Sequence, residues 1–149
     1  MVVTFCGHSQ VPNGEGVREW LYQVVEELIR KGAEKFYLGG YGEFDQMAAA
    51  VVRDLKQQYP EIISILIVPY LSRKSVCDLY DETVYPPLEN VPPRYAITHR
   101  NRWMVQESDF VVAYVTHDWG GAAATLKYAR QKRKRILLFS DLDRYPPWV

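Results

Sequence analysis

Residues 110–130 read "FVVAYVTHDWGGAAATLKYAR", and this stretch decides the fold. Its opening run, taken as a strand over residues 109–115, is almost wholly apolar and suits burial on both faces of a sheet. The run breaks at Gly120-Gly121, and residues 121–131 read as a helix. A strand that stops at paired glycines and restarts as a helix presents free backbone N–H groups and a positive dipole end. That is an arrangement suited to an anion such as phosphate.

The same alternation extends in both directions. Residues 2–6 form a short apolar run closed by Gly7, and Asn13-Gly14 punctuates a loop. Val17, Trp20, Leu21, Val24, Val25, Leu28 and Ile29 then recur at helical spacing, with Gly32 as a C-terminal stop. Residues 35–38 form a second strand ending in "GGYGEFD", after which apolar positions 44, 47, 48, 51, 52 and 55 mark a second helical face. Pro60 ends it, and "IISILIVPY" carries a third strand. Residues 71–95, with four prolines and repeated tyrosines, read as an ordered surface loop. Residues 96–107 read as a helix and 135–139 as a fifth strand, and the tail "RYPPWV" is expected to pack on the surface.

Strands alternating with helices imply βαβ units. The expected fold is α/β, a Rossmann-like three-layer sandwich with a mostly parallel sheet of about five strands. In such folds ligands lie outside the carboxyl ends of the strands. "CGHSQ", "GGYGEFD", "PYLSR" and "THDWGG" all fall at such ends.

Composition narrows the function classes. The 149 residues suit a single domain with a real core, and 18 Lys plus Arg balance 18 Asp plus Glu. This balance creates no global field toward nucleic acid or an anionic membrane. No apolar run approaches the ~20 residues of a membrane span, and the N-terminus lacks the pattern of a signal peptide. Cys6 and Cys77 lie far apart and read as reduced thiols, so a cytoplasmic location is expected.

Several stretches have residue types that suit ligand chemistry. In the first glycine corner, Gly39, Gly40, Tyr41 and Gly42 allow close backbone approach, and Asp45 can cap the following helix or accept a bond from a ribose hydroxyl. This corner is neither a G-x-G-x-x-G fingerprint nor a Walker A loop. In the second, Gly120 and Gly121 precede three alanines that keep the helix start narrow, and Thr125 adds a hydroxyl. Arg100, Asn101 and Arg102 stand before the fourth strand, where an arginine fork would complete a phosphate site. In a helix, however, Arg100 shares a face with Met104 and Arg102 points elsewhere. Gly7, His8 and Ser9 follow the first strand into the same crevice. The three histidines lack metal-ligand spacing, so no metal is expected, and no G-x-S-x-G elbow exists. Residues 130–135, "RQKRKR", read as a solvated helix end in preference to a nucleic-acid patch. Each of these stretches is also compatible with ordinary turns, caps and packing.

"TFCGH", "GGYGEFDQMAA", "RNRWMVQESDFVVAYV" and "GGAAATLKYARQKRKRILLF" together resemble the SLOG superfamily. This Rossmann-like group includes the LOG cytokinin-activating phosphoribohydrolases and the DprA DNA-processing proteins. The resemblance is strongest to its small single-domain members, and it covers the chain outside the Pro/Tyr-rich insert near residues 71–95. It implies a nucleotide-related ligand, a nucleoside phosphate or ADP-ribose derivative, held over the glycine turns. In the LOG pattern P-G-G-x-G-T-x-x-E a glutamate serves N-glycosidic cleavage together with an arginine. Here Arg100 or Arg102 can fill the arginine role, but Lys127 stands where the glutamate would, Trp119 replaces the proline and Ala123 the third glycine. Lys127 cannot act as that carboxylate, and Glu43 or Asp45 are the candidate substitutes.

The leading expectation is therefore binding or sensing of a nucleotide-related small molecule, without a cofactor. The alternatives are a nucleotide N-glycosidase, phosphoribohydrolase or nucleoside deoxyribosyltransferase-like enzyme using Glu43 or Asp45, and DprA-like single-stranded DNA binding. A homodimer is expected from family habit, with the insert, Trp103 and Trp119 as interface candidates.

Overall fold

Residues 1–71 and 79–139 are described in the computed structural model of the chain. Cys77, the "RYPPWV" tail and the last two residues of "PYLSR" lie outside the described residues. The strands are β1 (Val2–Gly7), β2 (Lys35–Leu38), β3 (Ile63–Ile67), β4 (Glu82–Val84), β5 (Phe110–Tyr114) and β6 (Arg135–Leu138). They form one parallel sheet in the order β4-β3-β2-β1-β5-β6. The helices are α1 (Gly14–Arg30), α2 (Glu43–Lys56), α3 (Ala96–Gln106) and α4 (Gly121–Gln131). Over the described residues the architecture is α/β and Rossmann-like, with six strands and every pairing parallel.

The sixth strand corrects the reading of residues 71–95 as a loop without elements. Within that segment β4 pairs with β3, Ile65 opposite Glu82 and Ile67 opposite Val84, and Pro93–Tyr95 forms a 3₁₀ turn. Three residues of β4 carry no periodic signal of their own, so the strand depends on long-range bonds. The Asp81 carboxylate accepts from the Ser64 backbone N–H at 2.8 Å and meets Lys56 Nζ at 2.7 Å. Burial alone would raise the pKa of Asp81; the Lys56 and Ser64 contacts outweigh it and hold the group below its ordinary range. A second, smaller correction concerns α1. It starts at Gly14, inside the Asn13-Gly14 stretch read as loop, and Gly32 follows it with φ +108°.

Side chains of each strand alternate between two helical layers. Val3, Phe5, Phe36 and Leu38 pack against Val17, Leu21, Val25 and Leu28 of α1 and against Phe44, Val51 and Leu55 of α2. On the opposite face Cys6, Val111 and Ala113 pack with Val105 of α3 and with Leu126 and Ala129 of α4, while Met104 joins Ile65 and Ile67. Fully burying a side chain such as Phe36 is worth about 2 kcal/mol. Among the described residues no helix is long and apolar enough to cross a membrane.

Topology fixes where a crevice must open. From β1 the chain builds outward through β2, β3 and β4 with α1 and α2 on one face. It then returns to lay β5 on the other side of β1, with α3 and α4 on the opposite face. Connections diverge at this reversal, leaving space beyond the carboxyl ends of β1 and β5.

Candidate functional site

A cavity of about 500 Å³ opens at that reversal, within the range of small-molecule sites. Its walls come from the end of β1, the two glycine corners and α3. Gly7, His8, Ser9, Gly39, Tyr41, Asp45, Arg100, Asn101, Gly120, Gly121 and Thr125 all line it. The corners do not sit on neighbouring strands; β1 runs between β2 and β5, so the corners flank it.

The corner after β2 is acidic. Gly40 and Gly42 have φ of +71° and +89°, which the turn requires. A Cβ on Gly42 would lie 2.8 Å from Ser9 Cα, so the turn is pressed against the β1–α1 loop. The Glu43 N–H donates to the Ser9 carbonyl and its carboxylate accepts from the Val11 N–H, both at 2.9 Å. Glu43 thus ties two loops together and stands outside the cavity wall. Asp45 faces the cavity. Its Oδ2 accepts from the Tyr41 N–H at 3.4 Å, and its buried Oδ1 has no hydrogen-bond partner among the described residues. Burial raises its pKa to about 7, against the smaller opposing pull of the Tyr41 amide and the Arg100 charge.

Arg100 is 4% exposed, although it is a charged residue on a short helix. Its Nη1 donates to the Ile67 carbonyl at 2.9 Å and the Gly39 carbonyl at 3.0 Å, and its Nε donates to Asn101 Oδ1 at 2.8 Å. A Cβ on Gly39 would meet Asp45 Oδ2 at 2.9 Å and Arg100 Cζ at 3.4 Å, so any larger residue here must displace the Asp45 carboxylate. Arg102 does not join an arginine fork. It is exposed, with its guanidinium 5.3 Å from the Tyr128 ring on α4, because residues two apart on a helix point to different faces.

The corner after β5 has the opposite character. Gly120, at φ +91°, leads into α4, whose first turn contains no acidic residue. Nothing lies within 4 Å of a Cβ placed on Gly121. Thr125 donates its hydroxyl back to the Gly121 carbonyl at 2.9 Å. The result is an open helix N-terminus whose free N–H groups and dipole favour an anion.

Between the corners stands a ladder of rings. The Thr116 N–H donates to His8 Nε2 at 2.8 Å, which places the proton of the neutral imidazole on Nδ1. His8 stacks on His117 with centroids 3.7 Å apart, and His117 on Trp119 at 3.8 Å. Burial, and secondarily the charge of His117, lowers the His8 pKa. Sequence spacing pointed to His8 but gave no site role to Thr116, His117 or Trp119. Their signal was position alone, since all three stand between a strand end and a glycine corner.

Other candidates sit elsewhere. Gly40 lines a separate cavity of about 480 Å³ with Leu66, Leu79 and Tyr80. The Cys6 thiol lies in the wall of the first cavity, and burial, aided by the Asp45 charge, pushes its pKa up to about 12. The basic run leads from α4 into the start of β6, at the opposite end of the parallel sheet from the cavity. There Lys134 donates to the Gln106 carbonyl at 3.1 Å and Lys132 lies over the Tyr128 ring. Among the described residues no group of three or more His, Cys, Asp or Glu is placed to hold a metal.

No family model matches the chain, and no curated protein matches it by sequence. Solved structures do match. The structural-genomics target TM1055 superposes with a TM-score of 0.62 at 17% identity, covering 91% of this chain and 71% of its own. The molybdenum cofactor carrier protein of Chlamydomonas reinhardtii gives 0.61 at 15%, covering 92% and 75%. DNA processing protein A of Helicobacter pylori, described for its single-stranded DNA binding mode, gives 0.61 at 17%, covering 95% and 66%. The fold of the described residues is therefore the Rossmann-like α/β fold of these solved structures, the fold class that the sequence implied.

Proposed function

We propose that the chain binds a nucleotide-related ligand, a nucleoside phosphate or ADP-ribose derivative, in the cavity beyond β1 and β5. One observation supports this above the others: two corners of opposite electrostatic character open on the same space. A phosphate suits the acid-free start of α4, where backbone N–H groups and the dipole attract it. It does not suit the start of α2, where Glu43 and Asp45 already occupy the first turn. The Asp45 side instead suits a ribose hydroxyl. Two fold neighbours are described as a cofactor carrier and a DNA binder, which favours binding without turnover.

The test is Gly121→Asp. The added side chain enters open space at a helix N-terminus, where an acid stabilises the helix by roughly 0.5 kcal/mol. The variant should fold at least as well as the parent and lose 10-fold or more in affinity for AMP or ADP-ribose by calorimetry. Unchanged affinity for both would refute this placement of the phosphate.

A second reading is favoured by the unpartnered Oδ1 of Asp45. A carboxyl still protonated near pH 7 can give its proton to a departing base as the C–N bond breaks and water adds to the anomeric carbon, the proton shed by that water restoring the carboxyl through solvent. In that case Asp45, not Glu43, is the acid. Base released from AMP by the parent and not by Asp45→Asn would establish it; no release by either leaves binding alone.

A further inference from the structure

The cavity wall mixes polar and apolar side chains, and three large apolar ones among them are exposed. Tyr41, Ile97 and Trp119 line it and are 76%, 49% and 68% exposed. They come from three separate places, the corner after β2, α3, and the corner after β5. Exposed apolar groups gathered from distant segments around one opening need an explanation that scattered ones do not.

Trp119 differs from the other two in being held. Its inner face lies on His117 with an interplanar angle of 19°, and His117 lies on His8 with an angle of 12°. His8 in turn is fixed by the Thr116 N–H and by an edge contact with Tyr114, 5.8 Å between centroids. The stack is thereby anchored in both β1 and β5. An exposed indole on a loop ordinarily costs ordering entropy whenever it stacks on a ligand. Here the imidazoles have set its plane beforehand, while most of its surface stays open.

Resting on the nucleotide reading above, we propose that Trp119 is the stacking platform for the heteroaromatic base of the ligand, with His117 and His8 as its rigid backing. Trp119 is joined directly to Gly120, and consecutive Cα atoms are about 3.8 Å apart. The platform thus adjoins the corner that suits phosphate, with Asp45 across the cavity on the hydroxyl side. Ile97 gives the mouth a second apolar wall. The ligand class this selects is a nucleoside phosphate with its base attached, in preference to a sugar phosphate alone. Stacking tolerates any base, because each has a π-face, so the platform adds affinity more than base identity.

The experiment titrates the full chain, and its Trp119→Ala and Trp119→Phe variants, with AMP and with ribose 5-phosphate by calorimetry, with elution mass measured alongside. Trp119 is exposed, so both variants should keep the parent melting temperature within a degree or two. The expected result is a loss of about 10-fold or more in AMP affinity for Trp119→Ala, recovery to within about 3-fold for Trp119→Phe, and ribose 5-phosphate affinity unchanged throughout. If both compounds bind and Trp119→Ala leaves AMP affinity unchanged, or weakens both equally, the platform is refuted while the phosphate site stands. If Trp119→Ala halves the elution mass with AMP affinity intact, Trp119 is an interface between copies and the proposal fails. If neither compound binds the parent, the site reading fails and the platform with it.

Discussion

Arg100 Nη1 donates to the Gly39 carbonyl oxygen at 3.0 Å, binding helix α3 to the glycine corner that follows β2. Sixty-one positions separate these residues, and the bond joins the two halves of the site across the carboxyl ends of the strands. The same nitrogen holds the Ile67 carbonyl, so one buried charge fixes the ends of β2 and β3 together.

Removing that charge exposes what it satisfies. Arg100→Met keeps the stem and leaves the Gly39 and Ile67 carbonyls without this donor. The expected loss of stability is about 2–4 kcal/mol, read from urea unfolding. A loss below about 0.5 kcal/mol would mean that water replaces the guanidinium freely.

Asp45 should make stability depend on pH in an unusual direction. Its folded pKa, about 7, lies above the ordinary 3.8, so the folded state holds its proton more tightly than the unfolded chain. Its contribution is fully present below pH 3.8 and is lost as pH rises through 7. Asp45→Asn should therefore gain on the parent between pH 4 and pH 8, by on the order of a few kcal/mol. A parent-minus-variant difference that stays flat across this range would exclude a raised pKa.

The ring ladder should have a histidine that resists protonation. His8 has its pKa lowered below 6.5 by burial first and His117 second. The unfolded chain then binds the proton first, so the His8 contribution to stability is present above pH 6.5 and declines as pH falls toward the folded pKa. Proton NMR of the imidazole should give a midpoint under 6.5, and His117→Gln should return part of that shift. A midpoint unmoved by His117→Gln would leave burial as its whole cause.

Two glycines of the site should respond oppositely to alanine. A Cβ on Gly7 would lie 2.3 Å from the Phe44 ring, inside the packed core, whereas one on Gly121 meets nothing. Gly7→Ala should cost about 3 kcal/mol through overpacking. Gly121→Ala should be neutral or gain up to ~1 kcal/mol, because alanine loses less backbone entropy in a helix. Melting curves of the two variants compare them directly, and similar losses at both positions would contradict the open corner.

Much of this molecule is legible in its sequence. Local periodicity determined β2 and α4 to the residue, and the other long elements to within a few residues, because each buries a continuous stripe or a two-faced strand. The glycine corners were legible too, since only a few residue types tolerate such turns. What periodicity could not encode is partnership at a distance. Strand β4 exists through Ser64, Lys56 and Asp81, residues drawn from three segments. The separate fates of Arg100 and Arg102 were half visible in helical geometry, but only packing decided which one is buried beneath Gly39. Nor could spacing tell that Glu43 is taken up by the Val11 amide while Asp45, two residues on, keeps a bare oxygen. Sequence determined the elements, because backbone propensity and apolar period are local. Tertiary structure decided the chemistry of the site, because burial and hydrogen-bond partners are set by residues that meet only when the sheet is assembled.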